Sequence, residues 1–149
     1  MANRETTASI GIRPFEVGDI EQVSELFIAT FPEKKLPKDC LNEFFREVYF
    51  DSPRADRRFP SLVFDSGKGI AGFIGVNSQQ MRFHGAPINV AVSSAFMVKT
   101  DESGKRNPLI GISLLRQFLN GEQDLSVADA ANDVTRKIWT KSGGSVAYS

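Results

Sequence analysis

The stretch INVAVSSAFMVKTDESGKRNPLIGISLLRQFLN, residues 88–120, decides how the chain folds. Bulky and small residues alternate through residues 88–98, which predicts a central β-strand with one bulky and one small-residue side. The bulky side is expected to carry Ile88, Val90, Val92, Ser94, Phe96 and Val98, and the small side Asn89, Ala91, Ser93, Ala95 and Met97.

The strand is followed by a polar segment, residues 100–107, which contains Gly104 and has the composition of a loop. Asn107 and Pro108 then predict the start of a helix, because asparagine caps free backbone donors and proline lacks an N–H that would have no partner there. Apolar residues recur at helical spacing after them, and Gly121 predicts the end of the helix. These apolar residues are Ile112, Leu115, Phe118 and Leu119.

A strand that leads through a basic loop into a helix N-terminus is a suitable frame for an anion. Free backbone N–H groups and the positive end of the helix dipole would lie beside Lys99, Lys105 and Arg106. This combination suits a phosphate or a diphosphate. The other interpretation of the three cations is a solvated basic loop, and the adjacent helix start favours the phosphate site over it.

The composition bounds the class of protein. A length of 149 residues suits a single domain. Eighteen basic side chains are balanced by 18 acidic ones, which argues against a general binder of nucleic acid or of membrane surfaces. Cys40 is the only cysteine, so there is no internal disulfide framework, and a reducing compartment is expected. No apolar stretch of signal-peptide length begins the chain, so we expect a cytoplasmic protein.

Two helices are predicted before the sheet is completed. A short first strand through Ile12 leads to Asp19, which is placed to cap a helix that ends before Pro32. A second amphipathic helix follows, and its aromatic face predicts core packing rather than a binding site. That face carries Leu41, Phe44, Phe45, Val48 and Tyr49.

A β-hairpin is predicted between the second helix and residue 88. Two apolar runs flank the turn sequence DSGKG, residues 65–69. Gly72 and Gly75 in the second run indicate bulges or a close approach of the backbone. A further strand through Met81 and Phe83 is expected to return the chain to the central strand, which makes the sheet largely antiparallel.

The segment between the second helix and this hairpin, residues 51–60, is charged and irregular. It contains Arg54, Arg57 and Arg58 in close succession. A solvated loop is the first interpretation of these arginines, and an anion site is the second.

After Gly121 the pattern predicts a short strand, residues 124–129, and a last helix. The buried side of that helix is expected to carry Val134, Ile138 and Trp139. A strand, a helix and a second strand in this order need a crossover connection, so residues 88–98 and 124–129 should pair in parallel.

Two motifs resemble the GNAT superfamily of acyl-CoA-dependent N-acetyltransferases. The run RNPLIGISLL, residues 106–115, is similar to the family's pyrophosphate loop, with Arg106 in the first place, Gly111 in the last and Leu109 where the family has its middle glycine. The run NDVTRKIWTKSGG is similar to the family's last helix and matches it at Asn132, Ile138 and Gly143. In the same run Thr135 replaces an alanine, Trp139 a tyrosine and Gly144 a phenylalanine.

The resemblance implies an α/β (α+β) fold in three layers. A mixed, mostly antiparallel central sheet would contain one parallel pair, residues 88–98 with 124–129, and would be covered by about four helices. The family continues with one or two strands after its last helix, whereas SVAYS, residues 145–149, only begins one. We therefore expect a single GNAT-like domain, residues 1–149, that is a fragment of a longer chain, although a partner could also supply the missing strands.

The resemblance also implies a co-substrate, acetyl-CoA or another acyl-CoA, held between splayed parallel strands. An amine of a small molecule or of a peptide would attack the thioester directly. The residues implied for cofactor binding are Met97, Val98, Lys99, Arg106, Asn107, Leu109, Gly111, Ile112, Asn132 and Arg136.

The catalytic residues stay unassigned. The strand 88–98 carries no carboxylate, and Trp139 cannot replace the family's tyrosine as an acid because an indole N–H does not titrate in the working range. Asp129 is a candidate base or a capping residue. Ser93 or Ser94 could orient a water or pack under a helix, and His84 lies in a predicted turn.

Other kinds of site are not expected. One histidine and one cysteine cannot form a zinc site by themselves, so no metal is predicted. Neither a nucleic acid nor a membrane is predicted as a partner, and an exposed edge left by missing strands would favour self-association into a homo-oligomer.

Two functions follow from these observations. The first is an N-acyltransferase that acts through positioning. The second is a non-catalytic GNAT-like domain used for binding or assembly in a longer protein. Arg106, Gly111 and Asn132 favour the first, and Leu109 and Trp139 favour the second.

Overall fold

The computed structural model describes residues 10–128, 133–141 and 143–145. One five-stranded sheet forms the middle layer, with its strands in sequence order. The strands are β1 (Gly11–Pro14), β2 (Leu62–Asp65), β3 (Ile70–Phe83), β4 (Ala86–Val98) and β5 (Leu125–Ala128). The helices are α1 (Ile20–Thr30), α2 (Lys38–Arg46), α3 (Pro108–Leu119) and α4 (Asp133–Lys141).

The sheet is mixed, as predicted. Neighbouring strands from β1 to β4 pair antiparallel, and β4 and β5 pair in parallel from Val90 with Leu125 to Ser93 with Ala128. The parallel pair follows from the crossover through α3. Asp129, at the end of the predicted last strand, lies outside the described residues, and so do residues 146–149, so the expectation of missing strands stays a prediction.

On one face of the sheet, α1 and α2 cover a core that we call the aromatic cluster. Three of its rings pack around Phe73, whose centroid lies 5.0 Å from that of Phe15, 5.6 Å from that of Phe45 and 5.5 Å from that of Tyr49. Helical spacing brings Ile20, Val23 and Leu26 of α1 onto this core. The rest of the cluster is Leu41, Val63, Ile70 and Met97.

On the opposite face, α3 covers a second core that we call the α3 cluster. Leu114, Leu115 and Phe118 of α3 are buried against the sheet, and Ile138 and Trp139 of α4 pack against the same core. The remaining members are Phe59, Leu62, Ile74, Val76 and Ala91. Helices on both faces of one sheet make the predicted three-layer arrangement.

The predicted separate strand through Met81 and Phe83 is wrong, because these residues are the end of β3. β3 runs for 14 residues and pairs with β4 up to Phe83 and Ala86. The chain reverses at His84 and Gly85, which have φ of 50° and 80°. Positive φ at both central residues is the geometry of the two-residue turn that fits twisted antiparallel strands.

The predicted division of residues 88–98 into two faces is wrong beyond Ser94. The register between β3 and β4 shifts between Phe73 and Gly75, and Ala95 has φ 49°. Both Ser94 and Ala95 contact residues of the aromatic cluster, whereas Phe96 packs against the α3 cluster. The cause is a β-bulge, which adds one residue to β4 and exchanges the faces of everything after it.

The predicted capping role of Asp19 is also wrong. Its carboxylate makes no cap hydrogen bond to α1. It accepts two hydrogen bonds from the Arg13 guanidinium, at 2.7 and 2.8 Å, and one from the Glu16 backbone N–H. Asp65 on β2 accepts a further hydrogen bond from Arg13, at 3.2 Å. The result is an ion-pair network that joins β1, β2 and the start of α1.

Candidate functional site

The candidate site begins at the bulge in β4, where the described pairing with β5 ends. The last parallel pair is Ser93 with Ala128. Beyond the bulge, Met97 pairs with Phe73, and the Lys99 N–H donates to the Ala71 carbonyl oxygen at 2.8 Å. Backbone groups alternate in direction along a strand, so this end of β4 directs every second residue away from β3.

This alternation separates Met97, Val98 and Lys99, whose backbone groups the resemblance implies along the pantetheine arm of acyl-CoA. Met97 and the N–H of Lys99 are engaged with β3. Alternation along the strand from Met97 and Lys99 then directs the backbone N–H and C=O of Val98, and those of Phe96, away from β3 and to the side of β5. Phe96 escaped the sequence analysis because the inserted residue is not visible in the alternation of side chains.

The loop after β4 is a tight hairpin rather than an open basic segment. Thr100 and Arg106 form an antiparallel bridge. The Asp101 carboxylate accepts hydrogen bonds from the Ser103 hydroxyl at 2.6 Å and from the backbone N–H groups of Ser103 and Lys105, both at 2.9 Å. These bonds, that from the Ser103 hydroxyl first, lower the pKa of Asp101. The loop therefore has a defined shape and contains an anion of its own.

Three cations surround this hairpin, as the sequence predicts. Lys99, Lys105 and Arg106 are all exposed. Within residues 10–128, 133–141 and 143–145, none of the three forms a salt bridge. Their charges are thus available to an incoming anion at the surface.

The N-terminus of α3 differs from the expected set of free donors. Asn107 caps the helix as predicted, and its Oδ1 accepts from the Leu109 N–H at 3.0 Å. The Ile110 N–H donates to the Asn107 carbonyl oxygen at 3.2 Å. The prediction of free N–H groups is therefore wrong for these two donors.

The side chain of Leu109 is not packed into the corner between the hairpin and α3. It is 68% exposed and projects into solvent. The bulky residue in the place of the family's middle glycine thus does not plug this corner.

Gly111 has a packing role in this structure. It is buried, and a Cβ added to it would lie 3.3 Å from the Phe96 ring and 3.4 Å from Val98. The absent side chain lets α3 approach the end of β4 closely. Ile112, also implied for the diphosphate site, is half-buried in the same helix.

The other residues to locate belong to the motif that resembles the family's last helix. Trp139 is half-buried, and its ring centroid lies 5.9 Å from that of Phe118, so its indole belongs to the core. Arg136 is exposed on α4. Asn132 lies outside the described residues.

A polar pair at the bulge was missed by the sequence analysis, which assigned Tyr49 to the core alone. Tyr49 is buried, and its hydroxyl is hydrogen bonded to the Ser94 hydroxyl at 2.8 Å. Burial raises the pKa of Tyr49, and the Ser94 hydrogen bond opposes this more weakly. Tyr49 therefore stays a neutral partner that holds the Ser94 side chain beside Ala95.

Other candidate chemistry is remote or lacks a cluster of ligands. His84 lies at the tip of the β3–β4 hairpin, far along β4 from the bulge. The described part of the chain contains no group of three or more histidine, cysteine, aspartate or glutamate residues placed to hold a metal. No helix within that part combines the length and the apolar character needed to cross a bilayer.

Comparison with known proteins places this geometry in a fold family. No family model and no curated protein matches the sequence. Among solved structures, a transcriptional regulator from Bacillus halodurans C-125 has a TM-score of 0.73 and 16% identity, over 95% of this chain and 96% of its own. The ribosomal-protein-alanine N-acetyltransferase from Brucella melitensis biovar Abortus 2308 has a TM-score of 0.67 and 16% identity, over 95% of both chains.

The glucosamine-6-phosphate N-acetyltransferase from Arabidopsis thaliana has a TM-score of 0.63 and 14% identity, over 94% of both chains. Similarity at this level of identity concerns the fold, and it extends over nearly the whole chain. The order of the strands, the single parallel pair and the helices on both faces agree with it. The chain therefore has the GNAT fold of these acetyltransferase structures.

Proposed function

We propose that the protein is an N-acyltransferase that transfers an acetyl or other acyl group from acyl-CoA to an amine. The observation that carries the proposal is the bulge at Ala95. It turns the backbone groups of Phe96 and Val98 to the side of β5, just before the basic hairpin and the start of α3. A row of backbone donors and acceptors that leads to a cluster of cations suits a ligand with an amide-containing arm and a diphosphate.

The residues of the hairpin fit the diphosphate of such a ligand through charge. Lys99, Lys105 and Arg106 would hold it with their side chains. Asn107 would have to release the Leu109 N–H before that donor could contribute. Arg136 on α4 would complete the proposed site, and Val98 would contact the pantetheine arm through its backbone. A role for Asn132 stays a proposal from the sequence.

The chemistry proposed for the site depends mainly on positioning. Acyl-CoA, when bound, supplies an activated thioester for direct attack by the amine. The protein would orient the two reactants and exclude water. Orientation of the reactants alone can account for a large part of a rate enhancement. Ser94 is held beside the bulge by Tyr49, and its hydroxyl is a group that could orient a water or the acceptor.

The acceptor is proposed to be an amine of a small molecule or a peptide. Two structural neighbours are a ribosomal-protein-alanine N-acetyltransferase and a glucosamine-6-phosphate N-acetyltransferase. These names describe those proteins, and they support only the general class of acceptor for this chain. A cytoplasmic location and a homo-oligomer remain proposals from the sequence.

A second function is favoured by two features, one at the start of α3 and one on α4. The first two donors of α3 are satisfied by Asn107, and Trp139 is part of the core, so the motif positions serve folding as well as any ligand. A non-catalytic GNAT-like domain, in which the cofactor loop has only a structural role, would retain the same contacts.

Calorimetric titration with acetyl-CoA distinguishes the two functions. The experiment compares the wild type with R106Q, in which the hairpin loses one cation, and with R82Q, an equal charge change on the exposed β3–β4 hairpin. Loss of one charge-assisted contact to a phosphate should weaken binding by about tenfold or more. R82Q should bind as the wild type does.

Absence of binding to the wild type at millimolar acetyl-CoA would argue for the non-catalytic domain. Equal weakening in R106Q and R82Q would also count against a specific diphosphate site, because it would reflect only the net charge of the protein. Binding by the wild type should then be followed by an assay of thiol release with a panel of amines.

A further inference from the structure

The charged segment between α2 and β2 is anchored to the sheet rather than solvated along its length. Phe59 is buried in the α3 cluster. The Ser78 N–H of β3 donates to the Arg54 carbonyl oxygen at 2.8 Å, and the Ser78 hydroxyl donates to the same oxygen at 3.3 Å. The Arg54 N–H is itself held by the Ser52 hydroxyl at 3.1 Å. The arginines of this segment therefore start from a fixed backbone.

This anchored segment forms one wall of a solvent-open cavity of about 370 Å³ against the far end of β3 and β4. Its walls are polar. The side chains that could recognise a ligand come from the anchored segment on one side and from β3 and β4 on the other. The segment contributes Arg54, Asp56 and Arg58, and the strands contribute Ser78, Gln80 and Asn89. Gln80 and Asn89 are directly opposite each other in the sheet, so their amides lie side by side.

The two lining arginines are in different electrostatic states. Arg58 forms an ion pair with Asp56 at 2.7 Å and lies over the Phe59 ring, with its guanidinium carbon 5.1 Å from the centroid. Arg54 forms no salt bridge with any described residue. The cavity therefore contains one guanidinium that is not neutralised, next to amide and hydroxyl donors.

From this arrangement we propose that the cavity binds a small molecule through its carboxylate or phosphate group. Arg54 would bind the oxyanion, and the amides of Gln80 and Asn89 would supply further hydrogen bonds. A planar guanidinium with parallel N–H donors matches either kind of oxyanion. Arg57, the third arginine of the segment, is exposed and does not line the cavity.

The proposed site is separate from the proposed acyl-CoA site and does not depend on it. Asn89 and Val98 lie nine residues apart on β4. At about 3.3 Å per residue, this separation is about 30 Å. A ligand in the cavity would thus be a second ligand of the protein, and the acyl-CoA experiment can fail without affecting this proposal.

The test is a titration of the full chain with citrate and, separately, with inorganic phosphate, at an ionic strength kept constant with sodium chloride. The side-chain NH₂ signals of Gln80 and Asn89 in two-dimensional NMR spectra report on the cavity itself. The wild type is compared with R54Q and with R57Q. R57Q makes the same change of charge in the same segment, outside the cavity.

We expect saturable shifts of these signals in the wild type and in R57Q with at least one of the two anions. R54Q should bind at least about tenfold more weakly. A response to citrate alone identifies a carboxylate ligand, and a response to phosphate alone identifies a phosphorylated one. The proposal is overturned if neither anion gives a saturable shift, or if R54Q and R57Q weaken binding equally.

Discussion

The two faces of the sheet are packed by different means. The aromatic cluster under α1 and α2 is built from large rings and contains the Tyr49–Ser94 hydrogen bond. The α3 cluster uses glycine to bring a helix close to the strands: a Cβ on Gly72 would lie 2.8 Å from Ile110 and from Leu114. The first face thus holds the bulged strand, and the second holds the helix that begins at the basic hairpin.

This difference indicates how the candidate site is positioned. The bulge at Ala95 is enclosed between the faces, with Met97 buried on one side and Phe96 packed on the other. A non-glycine residue with positive φ is energetically unfavourable, and surrounding packing must compensate for it. Changes on the aromatic face should therefore alter the strand, whereas changes on the α3 face should alter the helix.

The largest expected effect comes from removal of the central ring of the aromatic cluster. Phe73→Ala should lower the free energy of unfolding by about 3–5 kcal/mol, because the ring is fully buried and leaves a cavity. Leu114→Ala, the matching deletion on the α3 face, should cost about 2–5 kcal/mol. Urea denaturation measures both, and a cost below about 1 kcal/mol for Phe73→Ala would contradict the assignment of this core.

The next effect concerns the ion pair at the edge of the aromatic face. Asp19→Asn should cost about 1.5–3 kcal/mol at neutral pH, since it removes the charged partner of two hydrogen bonds from Arg13. Asp51→Asn, a change at an exposed residue, should stay within about 0.5 kcal/mol.

The same carboxylate predicts a dependence of stability on pH. Burial alone would raise the pKa of Asp19, but the hydrogen bonds from Arg13 and from the Glu16 N–H outweigh it and lower the pKa below its usual range. The contribution of Asp19 to stability is therefore complete above the unfolded-state pKa and is lost as the pH falls through the lower folded-state value. The free energies of unfolding of the wild type and of Asp19→Asn, measured by denaturation at a series of pH values, should converge in acid. A difference between them that stays constant down to pH 2 would contradict this.

Smaller costs in stability are expected for alanine substitutions at the glycines, and they should differ between Gly75 on the aromatic face and Gly111 on the α3 face. A Cβ on Gly75 would overlap the Tyr49 ring, which is buried and cannot move freely, so Gly75→Ala should cost about 1–3 kcal/mol. Gly111→Ala meets its neighbours at 3.3–3.4 Å and gains helix propensity, so its net effect should stay within about 1 kcal/mol.

A double-mutant cycle of Gly75→Ala with Tyr49→Ala tests the cause of the Gly75 effect. If the overlap with the ring is responsible, the two substitutions should couple by about 1 kcal/mol or more. If the costs of the two substitutions simply add, the cost of Gly75→Ala does not come from overlap with the Tyr49 ring.

The smallest expected effect concerns the start of α3. Asn107→Ala should cost about 1 kcal/mol, because the Leu109 N–H loses its side-chain acceptor. Asn107→Asp keeps an acceptor and should retain the stability of the wild type. Equal losses in both variants, measured by thermal unfolding, would show that the cap contributes nothing through this bond.

Much of the architecture could be predicted from local patterns. The start of α3 follows from Asn107 and Pro108, whose conformational preferences act within a few residues. The hairpin at DSGKG and the parallel pairing of β4 with β5 follow from turn chemistry and from the rule for crossover connections. Such features depend on neighbours in sequence, so they are visible without the fold.

The candidate site is less predictable, since its residues act through contacts distant in sequence. The cations around the hairpin were found because basic side chains at a surface loop need no particular partner. The packing role of Gly111 depends on Phe96 and Val98, and the position of the Ser94 hydroxyl depends on Tyr49. No spacing rule within one element indicates such contacts.

Apart from the separate strand expected through Met81 and Phe83, the sequence by itself determined the order of elements, the mixed sheet and the place where a basic loop meets a helix, because periodicity, capping and turn preferences are local properties of the chain. Only the tertiary structure decided the bulge at Ala95, the exchange of faces after it and the bond between Tyr49 and Ser94. A strained residue is stable only when packing from both sides of the sheet compensates for it, and that packing exists only in the assembled fold.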